Sequence, residues 1–121
     1  MSKRKLPMGE ETLPIAIIEG KMLTPLQLKE HPAEFGLLVK GERPRFMAIT
    51  DDLLIERVRQ RYAQGREATI YRFVADGMKE IFPEDQIVEM EQRSLLGLEF
   101  IKAERKLVEE ELRIISEAGD V

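Results

Sequence analysis

The chain has 121 residues, with 19 Lys and Arg against 23 Asp and Glu, a net charge of −4 at pH 7, 43% apolar residues, and no Cys or Trp. That length suits one domain burying roughly 65% of its unfolded surface, and the composition is that of a soluble, helix-rich chain rather than a disordered one. Lack of Cys excludes disulfides, thiol catalysis and cysteine metal sites; no stretch approaches the ~18 apolar residues of a membrane helix, and "MSKRKL" precedes no signal-peptide run, so the expectation is cytoplasmic, without membrane contact.

Charge is partitioned along the chain: +3 over residues 1–6, −3 over 7–39, +3 over 40–72 and −7 over 73–121. A positive middle segment is compatible with a phosphate-facing surface, because local potential rather than total charge attracts a polyanion.

In chain order, residues 1–12 read as a flexible basic arm led by Lys3, Arg4 and Lys5. Residues 13–42 read as an N-terminal extension. Its β-branched run predicts a strand over Leu13–Ile18, ended by Gly20. Thr24 as cap, Pro25 at the first helical position and Gln27 three residues after the cap predict a helix of about two turns before Pro32. Leu37–Val39 is ambiguous: it could be a strand, with Lys40-Gly41-Glu42 turning into the next segment as a hairpin. "RPRFMAIT" then reads as a strand running directly into a helix that starts at Thr50 or Asp51. Acids fill that helix's first turn, Leu54, Val58 and Tyr62 make an apolar stripe, and Gly65 stops it. "ATIYRFVADGMKEIF" is read as a second helix from near Thr69 to before Pro83, with Ile70, Phe73, Val74, Gly77, Met78 and Ile81 at helical spacing. Residues 83–121 read as one long helix from Pro83 to Glu117. Its apolar face is wider than a two-stranded coiled-coil seam and suits a bundle or an oligomer, and Gly97 is the place for a break.

The order over residues 43–82, strand, helix, Gly turn, helix, resembles the ribbon-helix-helix family of DNA-binding proteins, the Arc/MetJ type. The matching strings are "RPRFMAIT", "TDDLLIERV", the Gly65 turn and "TIYRFVADGMKEIF", about a third of the chain. The resemblance implies a mainly α fold with a short β-ribbon: an intertwined dimer core, to which this chain adds a long C-terminal oligomerisation helix. It also implies double-stranded DNA as partner, with the ribbon in the major groove. Phe46 and Ala48 would then point into the core, while Arg45, Met47 and Ile49 would face the bases, beside Arg43. A second-helix N-terminus at Ala68 and Thr69, next to Arg66, would hold a phosphate. The chain departs from the family pattern at the base-facing positions, where only Arg45 is polar. The same residues fit a second reading, in which the Leu13–Ile18 strand or the Leu37–Val39 run covers that face and the unit serves dimerisation alone.

The blander alternatives stand beside these. Arg43 and Arg45 fit a solvated strand, Arg57, Arg59 and Arg61 exposed helix faces, and Glu109, Glu110 and Glu111 a solvated run. His31 has no second His or Cys to complete a metal site. With no phosphate loop or hydrolase motif and no marked carboxylate pair, neither an enzyme nor a cofactor is expected. The functional expectation is a DNA-binding protein: a transcriptional regulator, an antitoxin, or an accessory factor of plasmid transfer or partition. It would associate with itself and leave its acidic C-terminal helix free for protein partners. The alternative is a non-catalytic helical assembly or adaptor protein.

Overall fold

The structure is a computed structural model that describes residues 6–118. The protein is mainly helical, with two small antiparallel sheets and a long C-terminal helix. The basic triplet Lys3, Arg4 and Lys5 lies outside the described residues.

Of the expected flexible arm, residues 6–12 are described and include a turn of 3-10 helix, Glu10–Thr12, that carries a buried Glu10. Strand β1, Ala16–Ile18, folds back on β2, Lys21–Leu23. Glu19 and Gly20 both have positive φ, the twist that matches a two-residue hairpin to its strands. A single helical turn, α1 (Pro25–Leu28), follows. The Thr24 hydroxyl accepts from Gln27 N at 3.3 Å and the Gln27 side chain accepts from Thr24 N at 2.9 Å, so the expected capping box is present. Helix α2, Pro32–Val39, takes up the ambiguous Leu37–Val39 run, which is therefore not a strand.

The expected strand "RPRFMAIT" shrinks to a two-residue strand β3, Met47–Ala48, paired with β1 of the same chain through Ile17–Ala48 and Ile18–Met47. Its phase is the reverse of the one the family resemblance implies: Met47 is buried and Phe46 is exposed. The apolar face of β1 explains this, since pairing with it directs Met47 into the core and removes the need for a partner strand.

Helix α3, Asp51–Ala63, is capped by Thr50, whose hydroxyl accepts from Leu53 N at 3.2 Å. It closes in a Schellman motif, with Arg66 N donating to Arg61 O, Gly65 N donating to Tyr62 O, and Gly65 at φ 72°.

Residues 70–81 form a β-hairpin instead of the expected second helix: β4 (Ile70–Val74) pairs with β5 (Gly77–Ile81). Isoleucine, valine and aromatics favour a strand over a helix, and Asp76-Gly77 supplies the turn, with Gly77 at φ 122°. The expected single C-terminal helix is two: α4 (Pro83–Gln92) and α5 (Leu95–Ala118). The break falls at Arg93–Ser94 rather than at Gly97. Arg93, at φ 51°, completes a second Schellman motif, with Ser94 N on Glu89 O. Ser94 then caps α5 by accepting from Gly97 N at 3.0 Å. Gly97 has a different role from a hinge: a Cβ there would stand 1.9 Å from Glu89 O, so only glycine lets α4 and α5 meet this closely.

One hydrophobic cluster joins β1, α1, α2, β3, α3, α4 and α5, including Ile15, Phe35, Met47, Leu54, Met90, Val108 and Ile115. The expected segments 13–42, 43–82 and 83–121 thus all contribute to one core.

Candidate interaction surface and a buried ionic network

Two features stand apart from the apolar core. The first is a buried network where the N-terminal segment, called here the strap (residues 6–14), crosses α3 and α5. Arg57 is fully buried. Its guanidinium donates to Glu104 at 2.8 Å, to Pro14 O at 2.8 Å, to Glu10 at 3.3 Å and to Glu111 at 2.5 Å. One turn later Arg61 donates to Glu10, Glu104 and Glu67. Arg66 reaches Glu10 at 3.1 Å and the carbonyls of Met8 and Gly9. Burial pushes the Glu10 carboxyl up, but hydrogen bonds and charge from Arg61, with Arg66 and Arg57, outweigh it and hold it below the ordinary range. Burial works against the Arg61 charge too, and Glu104, Glu10 and Glu67 reverse that.

Two sequence expectations are corrected here. Arg57 and Arg61 are buried and not on exposed faces, and Glu111, 1% exposed, is not part of a solvated run. The cause is helical phase. Glu104 and Glu111 interleave with Ile101, Val108 and Ile115 on the buried side of α5, as Arg57 and Arg61 interleave with Leu54 and Val58 on α3. Charged residues inside an apolar stripe were the available signal.

The second feature is the β4–β5 hairpin. Tyr71 is 60% exposed, Met78 54% and Ile70 36%. Its root is fixed by Gln86 of α4, a buried side chain that donates to Ala68 O at 2.9 Å and to Ile81 O at 3.0 Å. Arg72 pairs with Glu99 of α5. Beside the root lies an open cleft of about 410 Å³, walled by Val58, Ile70, Met90, Phe100 and Leu107, with Arg61, Glu67 and Glu104 at its polar side. Phe100, Ala103 and Leu107 are the apolar residues that α5 contributes to this cleft.

The residues singled out for DNA contact are dispersed by this fold. Arg43 turns back to donate to Leu38 O at 3.2 Å and Glu42 O at 2.9 Å, closing the end of α2. Arg45 is exposed and makes no ion pair among the described residues. Met47 is in the core, and Ile49 packs against it, its carbonyl accepting from Arg105 at 2.7 Å. Arg66 is spent on Glu10 and the strap. Ala68 and Thr69 precede a strand, so the helix N-terminus expected to hold a phosphate does not exist there.

Among the described residues no group of His, Asp and Glu is arranged to hold a metal ion, and no helix is long and apolar enough to cross a membrane. No protein-family model, curated protein or solved structure matches the chain.

Proposed function

We propose that the protein is a non-catalytic interaction module that engages a protein partner through the β4–β5 hairpin and the adjoining cleft. The observation that carries this reading is the exposure of Tyr71 and Met78 on one face of the hairpin, with Ile70 on the other face bordering an apolar cleft, on a chain that already encloses its own core. Isolated two-stranded hairpins are marginal in water and leave both edges unpaired, which makes them templates for a partner's backbone. Aromatic and Met side chains on a stable platform are typical anchors of protein interfaces.

Charge favours a protein over DNA. Residues 67–92, the hairpin and the helix behind it, hold two basic side chains against seven acidic ones, a net −5. A polyanion is repelled by that shell. An obligate intertwined dimer has little to complete, because Leu53, Leu54, Ile55 and Val58, the residues a partner helix would cover, are buried within one chain. DNA binding as a family trait keeps support only from the two exposed neighbours Arg45 and Phe46.

The test compares wild type with Tyr71→Ser/Met78→Ser, which leaves the core and the hairpin register intact. Light scattering shows whether the partner is a second copy; affinity capture with both proteins shows whether it is another chain. The expected result is association by the wild type and at least a tenfold loss in the variant, at equal thermal stability. Binding to mixed duplex DNA that weakens steeply with added salt and falls with Arg45→Ala, while the double variant binds normally, would overturn the reading.

A further inference from the structure

The ionic network is unbalanced in a way that its geometry does not relieve. Three guanidiniums, Arg57, Arg61 and Arg66, meet four carboxyls, Glu10, Glu67, Glu104 and Glu111. Of these carboxyls Glu111 is the deepest. One oxygen takes the Arg57 hydrogen bond, and the other, Oε1, is buried with no donor. An ionised carboxylate with an orphaned oxygen and a surplus negative charge is costly out of water, whereas a protonated one needs only an acceptor. Glu10 is the neighbouring carboxylate, held on the same Arg57 nitrogen as Glu111, and is placed to be that acceptor.

We propose that Glu111 keeps its proton in the folded protein, shares it with Glu10, and so forms a proton-dependent latch that fastens the strap to α3 and α5. When the proton leaves, Glu111 repels Glu10 and competes with it for the same Arg57 nitrogen. Glu10 is the strap's main anchor, so the strap loosens first. Around Glu111 the strap brings Glu10, α3 brings Arg57 and Arg61, and α5 itself adds Glu104. The turn after α2 places Lys40 and Arg43 beside Glu109 and Arg113 at a separate groove. Helix α4 meets α5 at Gly97 and, further along, brings the uncharged Gln86 and Met90 to the cleft that Glu104 and Leu107 border.

Burial pushes the Glu111 carboxyl up to about 7, with the Glu10 charge adding and Arg57 opposing. A folded-state value above the unfolded one means that the folded chain binds the extra proton. This contribution to stability is complete below about pH 4.5 and is lost as pH rises through 7. The chain has one His and no Cys, and the comparison is made in a His31→Asn background, which leaves neither residue type in the chain.

The experiment measures urea unfolding of the full chain at pH 5.5 and 8.5, together with amide exchange over residues 10–13. In the wild type the unfolding constant is expected to rise about thirtyfold between the two pH values. Glu111→Gln, which mimics the protonated form, should flatten that rise to less than about threefold. At pH 8.5 the strap amides of the wild type should exchange faster than those of the variant, and at pH 5.5 equally. Equal pH slopes in the two proteins would overturn the proposal. If the variant does not fold, carboxyl-carbon NMR of wild-type Glu111 decides: a titration midpoint near neutrality supports the latch, and one below about 5 rejects it.

Discussion

Where the strap crosses α3 and α5, seven charged side chains are packed largely out of water, each completed by another segment of the same chain. A few residues past the end of α3, the hairpin sets Tyr71 and Met78 in water, where nothing described in the chain covers them. Each region inverts the usual partition of polar and apolar groups. The network's inversion is compensated internally by hydrogen bonds, so it reads as architecture. The hairpin's inversion has no internal compensation, so it reads as a surface for something else.

Breaking the network should have the largest effect. Arg57→Met leaves Glu111 without its cationic partner and takes one donor each from Glu10 and Glu104, which keep Arg61; an unpaired buried charge costs about 3–5 kcal/mol. Chemical denaturation should show that loss, and it should be greatest above neutral pH, where the carboxyls cannot be relieved by protons. Next is the platform that carries the hairpin. Gly97→Ala drives a methyl into the Glu89 carbonyl, and the parting of α4 from α5 should cost about 2–3 kcal/mol in the same measurement. At the hairpin root, Gln86→Ala removes two buried donors and should cost about 1–2 kcal/mol. Here hydrogen exchange sharpens the contrast between the regions: amides of β4 and β5 should open while those of α3 stay protected. The smallest change is a gain. Arg93→Gly relieves a left-handed residue and gives up exposed ion pairs to Asp51 and Asp52 and one exposed hydrogen bond to Glu91 O, so stability should rise by up to about 1 kcal/mol. A loss there would mean that those pairs matter more than the backbone strain.

What the sequence revealed follows from which physics was local. The caps at Thr24 and Thr50 and the stop at Gly65 are contained in four to six residues, and the elements they bound, α1 and α3, were legible. The hairpin was not, for a definite geometric reason. Strand pairing about the turn matches Ile70 with Ile81, Phe73 with Met78 and Val74 with Gly77. Those six positions are also the ones a helix would place on one face, so apolar spacing cannot separate the two. Residue type can: Ile70, Tyr71, Phe73 and Val74 are strand formers, and Asp76-Gly77 is a turn. The 43–49 ribbon was misjudged because its partner, β1, lies thirty residues upstream. Of the residues first chosen for a site, Arg43, Met47 and Arg66 turned out to serve the fold. The Arg57 network is hard to read from sequence because charged residues ordinarily mark exposed faces, although Glu104 and Glu111 sit in phase with Ile101, Val108 and Ile115.

The register of the hairpin puts Arg72 directly opposite Lys79, two like charges where cross-strand neighbours lie about 5 Å apart. Glu99, reaching up from α5, takes Arg72 and offsets that repulsion. The ribbon is therefore strung between a push across its own strands and a pull from the helix beneath. All three charges are at least half in solvent or close to it, so counter-ions screen both forces over a Debye length of about 10 Å at 0.1 M. Its stiffness against α5 becomes a property of the surrounding electrolyte as much as of the chain: taut in dilute buffer, slack in concentrated buffer, with the Gln86 anchor unchanged at its base.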